Sequence, residues 1–101
     1  MTTLELQKHQ KIYDAEHWDV NGSELEQARH ILLHLMKAVG KLADWCERAE
    51  HGAHTSTDQI TQEVAPGLQF HALQLANIFE RDLEDDYLAL LERNIRRRGE
   101  V

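Results

Sequence analysis

Between Leu25 and Ala49 the apolar residues Leu25, Ala28, Leu32, Leu35, Val39, Leu42, Cys46 and Ala49 recur at alternating steps of three and four. That spacing draws one stripe down an α-helix and no face of a strand, so this half of the chain has to be a long helix that packs against another. Ile31, Met36, Ala38 and Ala43 widen the apolar face beyond a narrow zipper, which points to a bundle and not to an isolated two-stranded coiled coil. Ser23 followed by Glu26 has the spacing of a capping box and sets the start of this helix near Glu24. Gly52 supplies its stop.

The rest of the chain agrees with an all-α fold. Only one proline, Pro66, and five glycines interrupt it, and runs of aromatic and β-branched residues are missing. A first helix is expected over Thr3 to Glu16 with Leu6, Tyr13 and Ile12 inward, followed by a linker, "HWDVNGS", with a turn at Asn21-Gly22. A third helix should begin near Asp58, kink or restart at Pro66, and continue through Leu68, Ala72, Leu75 and Phe79 to a break near Arg81. Asp82 is placed to cap a fourth helix with Leu83, Tyr87, Leu90, Leu91 and Asn94 on its inner side. Acids open that helix and arginines close it, as its macrodipole favours. With 101 residues the chain, residues 1–101, reads as a single domain whose core is modest, so association would help it.

Charge and cysteine content bound the function classes. Acids outnumber Lys and Arg 18 to 11, which disfavours general nucleic-acid binding despite the local cluster Arg93, Arg96, Arg97 and Arg98. The longest uninterrupted apolar run inland, Leu88 to Leu91, is far too short for a bilayer, and the N-terminal stretch has neither a basic start nor an apolar core. One cysteine, Cys46, excludes an internal disulfide framework and fits a reducing compartment, so the expected location is cytoplasmic.

Four stretches together carry a family resemblance: "LELQKHQKIYDAEHWD", "HLMKAVGKLADW", "LQFHALQLANIF" and "DLEDDYLALLERNIRRR". In this order they resemble the opening helix, the E-E-x-G-E-L-A segment, the helix after the E-x-x-D motif and the basic closing helix of MazG-type proteins, the all-α nucleoside triphosphate pyrophosphohydrolases. The resemblance implies a four-helix protomer, a helical bundle completed by oligomerisation into at least a homodimer, and Mg-dependent release of pyrophosphate from a nucleotide. It also implies two pairs of acids, each at i, i+3, that hold the cations. Here the pattern breaks. With Gly40 on the family glycine, Ala38 and Lys41 fall at the first pair, and counting back from Leu75-Ala76 puts Val64 and Gly67 at the second. A shift of one residue returns Glu63, with Pro66 as its partner.

The expectation is therefore a degenerate MazG-like protein that has lost Mg-dependent hydrolysis and serves as a binding or interaction module for a small ligand such as a nucleotide or phosphate. Lys37 and Lys41, one turn apart, form the expected anion site with His34, His71, Asn94 and Arg97, against the plainer reading that Lys37 pairs with an acid and the arginines complement a helix end. One alternative is an active pyrophosphohydrolase with Mg held by the displaced carboxylates Asp44, Glu47, Glu50 and Glu63, whose plainer reading is a solvated helix face. A purely structural helical oligomer is the second. His30 and His34, at i, i+4, would reach one transition-metal ion if His71 or the pair His51 and His54 joined them; structural or solvated histidines are the plainer reading, and no metal is assigned. Trp18 and Trp45 could stack on a base, with core edges as the plainer reading, and Cys46 on the seam reads as packing.

Overall fold

The computed structural model describes residues 1–18 and 21–99, and every regular element among them is helical. Helix α1 is Thr3–His17, α2 is Glu24–Glu50, a π-helical turn spans Ile60–Val64 and runs into α3, Ala65–Ile78, and α4 is Leu83–Gly99. The expected linker after α1 includes Asp19 and Val20, which lie outside the described residues.

Local chemistry sets the element ends. Thr2 caps α1 by accepting from the Glu5 amide, and Ser23 caps α2 by accepting from the Glu26 amide at 3.1 Å. The Ser23 hydroxyl also donates to the Glu26 carboxylate at 3.3 Å. Asp82 accepts from the Asp85 amide at 3.1 Å and so caps α4 as its position predicts. Helices α2 and α3 both stop in Schellman geometry. After α2, Gly52 at φ +83° donates to the Ala49 carbonyl and Ala53 to that of Arg48. After α3, Glu80 at φ +55° takes the place glycine usually holds, donating to Asn77, while Arg81 donates to Ala76. Pro66 ends no helix: the chain is helical from Asp58, and Ala65 donates to Ile60, five residues back, in the widened turn just before a residue that has no amide to offer.

Helix α3 is the hub, packed on α2, α1 and the first part of α4. The buried apolar residues of the protomer are Ile31, Val64, Leu73 and Ala76. The seam between α1 and α3 also carries polar side chains. The residues of α1 that are buried are Gln7 and Gln10, whereas Ile12 and Tyr13 are exposed, contrary to the expected inward face. Gln7 donates to the Asn77 side chain and the Arg81 carbonyl at 3.0 and 2.8 Å and accepts from the Leu83 amide at 3.0 Å. Asn77 returns a bond to the Gln7 carbonyl at 2.9 Å. Among the described residues no buried side-chain polar atom lacks a partner, so this interface carries no unmet desolvation cost.

The outer faces remain open. On α2, Leu25, Leu32, Met36, Val39, Ala43 and Cys46 form a stripe that is exposed within the chain. From Tyr87 to Gly99 every residue of α4 is exposed, Tyr87, Leu88, Leu90, Leu91 and Ile95 among them. The protomer is correspondingly extended, with a radius of gyration of 16.4 Å, where a compact domain of this length has about 13 Å. Its accessible surface is 7869 Å², against about 5900 Å² for a compact protein of this mass.

Candidate functional site

The floor of the site is built where α2 crosses the π-turn and the start of α3. A cleft of about 550 Å³ opens there, lined by His34, Lys37, Ala38 and Lys41 from α2 and by Glu63, Val64, Gly67 and His71 from the facing segment. The four positions that the family resemblance assigns to the cation cage, Ala38, Lys41, Val64 and Gly67, all line this one cleft. They bring no carboxylate. Glu63 is the single acid on the lining, and the Lys41 ammonium stands 3.8 Å from its Oε2, both side chains being more than half exposed. Two ammonium groups against one carboxylate leave the cleft positive on a chain of net charge −7.

One wall of the cleft is aromatic and rich in imidazole. His30 and His34, one turn apart on α2, approach through their Nε2 atoms at 3.3 Å. Trp18, just beyond α1, has its ring centroid 5.2 Å from each of them. His71 from α3 lies 5.4 Å from His34 and 5.1 Å from Phe70, centroid to centroid. The His34 imidazole is held below its ordinary pKa first by burial and then by the nearby charges of His30, His71 and Lys37.

His71 is oriented from behind. The Asp14 carboxylate accepts from the Gln74 amide nitrogen at 2.9 Å and also from Gln10 at 2.9 Å. A carboxylate oxygen that accepts fixes which end of the Gln74 amide faces it, so Oε1 turns to His71 Nδ1, at 2.8 Å. An amide oxygen only accepts. His71 must therefore carry a proton on Nδ1.

Of the expected anion-site residues, the fold gathers His34, Lys37, Lys41 and His71 in this cleft. Asn94 and Arg97 are elsewhere, with Leu91, Ile95 and Arg98 along a shallow groove on α4, a helix that touches α1 and α3 but not α2. Asp44, Glu47 and Glu50 follow α2 past the cleft and do not line it; Asp44 pairs with Arg48 at 3.2 Å on its own helix. His71 joins the His30 and His34 rings, whereas His51 lies 17 residues beyond His34, roughly 25 Å along the helix axis at its usual rise. Among the described residues no group of three or more His, Cys, Asp or Glu side chains is placed to hold a metal ion. Trp45 is a packing residue that donates to the Ser56 carbonyl at 2.8 Å and holds the loop after α2, and Cys46 is exposed.

Sequence reasoning missed Asp14 and Gln74, which orient the site from outside it. Gln74 follows His71 by three residues, one step along the same helical face, and that spacing was the available signal. No family model matches this sequence, and no curated protein or solved structure matches it either.

Proposed function

We propose that the chain is a small-anion binding module, a degenerate MazG-like protein in which lysines stand where the relatives would hold magnesium. The observation that carries this reading is the cleft lining: Lys37 and Lys41 share it with one acid, and the cage positions are filled by Ala38, Lys41, Val64 and Gly67. An ammonium beside a lone carboxylate is a poor host for a divalent cation, since like charges a few ångströms apart repel by roughly 1–4 kcal/mol at dielectric constants between water and a protein surface. The same ammonium groups suit the oxygens of a phosphate chain. Glu63 then acts as a weak internal competitor that the ligand displaces from Lys41.

The chain acts as an assembly of at least two copies. Support comes from the open stripes of α2 and α4 and from the extended protomer: an isolated helix of the length of α4 is marginal in water unless its apolar face is packed. Self-association completes the bundle and brings α4 faces, with Asn94 and Arg97, against a second copy.

A thermal-shift series with inorganic tripolyphosphate and nucleoside triphosphates, each with and without Mg²⁺, tests the reading. Ligand at ten times its dissociation constant adds roughly 1.4 kcal/mol to the native state, or roughly 5–10 °C for a domain of this size. The shift should not require metal, and Lys41→Glu should remove it. Mg²⁺-dependent release of pyrophosphate would instead establish the hydrolase, and no response to any anion would leave a structural oligomer.

A further inference from the structure

The histidine wall has a chemistry that anion binding by the lysines does not use. At 3.3 Å between nitrogens, the His30–His34 contact is an N–H···N hydrogen bond, so one Nε2 carries a proton and the other offers its lone pair. An added proton enters at the free Nδ1 of the donor ring, and the bond survives as a charge-assisted one. Trp18 meets both rings with centroids 5.2 Å away, edge-on to His30 at 79° and tilted to His34 at 55°, inside the distance over which an aromatic ring and a cation attract. The pair is thus built to hold one positive charge, and its member His34 is also part of the cleft.

We propose that the cleft is a proton-coupled anion site: a bound oxyanion is accompanied by uptake of one proton on the His30–His34 pair, so affinity rises as pH falls through the histidine range. The inference rests on the anion-binding reading and adds its regulation. The groups that face the pair settle the direction. From α2 come Lys37 and Lys41, from α3 His71, from the π-turn Glu63, and from α1 Asp14, which acts through Gln74 on His71. In the empty cleft burial, the neighbouring histidines and Lys37 resist protonation of His34. An oxyanion between the lysines reverses that field and raises the imidazole's proton affinity. By linkage, one proton per anion means about a tenfold change in affinity per pH unit at the steepest point.

Sulfate is the suitable probe because its charge is constant over this pH range. Isothermal titration of the full chain with sodium sulfate, at fixed ionic strength, should give binding about tenfold tighter at pH 5.5 than at pH 7.5. At pH 6.5 the heats in two buffers of different ionisation enthalpy should differ by one buffer proton per sulfate. His34→Gln should weaken sulfate binding and lose most of the pH slope, while His54→Gln, in the exposed loop after α2, should change neither. If His34→Gln fails to fold, imidazole NMR titration of the wild type replaces it: sulfate should raise the His34 pKa, and an unchanged titration overturns the proposal. Sulfate binding of equal strength at both pH values overturns it while leaving the anion reading intact, and no sulfate binding at either pH removes both. Zinc binding that His34→Gln abolishes, with sulfate affinity flat in pH, would replace it with a two-histidine metal clamp.

Discussion

A carboxylate in the open stripe of α2 should dismantle the proposed assembly, and the structure sets the scale. Each protomer exposes about 2000 Å² more surface than a compact protein of its mass, judged from its 7869 Å². Covering that excess in a symmetric pair would bury about 4000 Å² in total, within the range of obligate interfaces. Area does not convert directly into affinity, so the magnitude is better worked from one side chain. Leu32 is 53 % exposed within the chain. Burying the rest of it contributes roughly 1 kcal/mol, and leaving an unpaired carboxylate in its place raises the loss to about 2–3 kcal/mol per copy. A two-fold interface carries the change twice, so Leu32→Asp should cost about 4–6 kcal/mol, or three to four powers of ten in dissociation constant. Leu91→Asp on α4 should act alike and His54→Asp should not. Sedimentation equilibrium between 1 and 100 μM is the assay. The wild type should run at twice the 11.7 kDa chain mass or more. A wild type that stays at the chain mass throughout, melts cooperatively and keeps its extended radius would refute the reasoning, because the stripes would then be tolerated in water.

Other expectations concern the protomer. Gln7→Ala removes the acceptor for the Leu83 amide and the donor to Asn77 and the Arg81 carbonyl; a loss of about 2–4 kcal/mol should appear in denaturant unfolding. Glu80→Gly relieves a left-handed backbone position and should raise stability by about 0.5–1 kcal/mol in thermal unfolding, whereas Gly52→Ala should lower it although no atom lies within 4 Å of the added Cβ. Without ligand, stability should fall with acidification. His34 has a lowered pKa in the folded chain, so below its unfolded value near 6.5 the unfolded state binds more protons, and melting temperature should drop from pH 7.5 to 5.5 less steeply in His34→Gln than in the wild type.

Element positions were legible in the sequence because capping chemistry is local. Ser23, Gly52 and Asp82 act on backbone groups within a few residues, and the neighbours that decide their conformation are visible in the one-dimensional text. The inward face of α1 was not legible. Hydrophobic periodicity finds an interface only when that interface is apolar, and α1 meets α3 through Gln7, Gln10 and Asp14 and an edge contact of Tyr13 with Phe70, while Ile12 is exposed. The α2 seam is met only in part: among the described residues Ala28, Leu35, Leu42 and Ala49 are partly covered, whereas Leu25, Leu32 and Val39 are exposed. For the site, Ala38, Lys41, Val64 and Gly67, singled out by their spacing from Gly40 and Leu75-Ala76, line one cleft because α2 crosses the π-turn and the start of α3 there. The Asp14–Gln74–His71 relay depends on which face of α1 meets α3, and that was the face read wrongly.

The polar α1 seam and the exposed α2 stripe have a common physical logic. An apolar α1–α3 seam would let the helices slide with little change in energy, because hydrophobic contact has no direction. The Gln7–Asn77 and Asp14–Gln74 bonds hold only in one register, and any slip would bury their donors and acceptors unmet. Polar groups inside thus fix the position of His71 and of the α4 start, at little net gain in stability. A small chain that places amides in one of its own seams then has few apolar residues left for the protomer core, and Ile31, Val64, Leu73 and Ala76 make a small one. Its leucines lie instead on α2 and α4, facing out. The specificity of the protomer and the exposure of its apolar stripes follow from the same allocation, so replacing the amide seam by leucines should make the single chain more stable and the His71 position less defined.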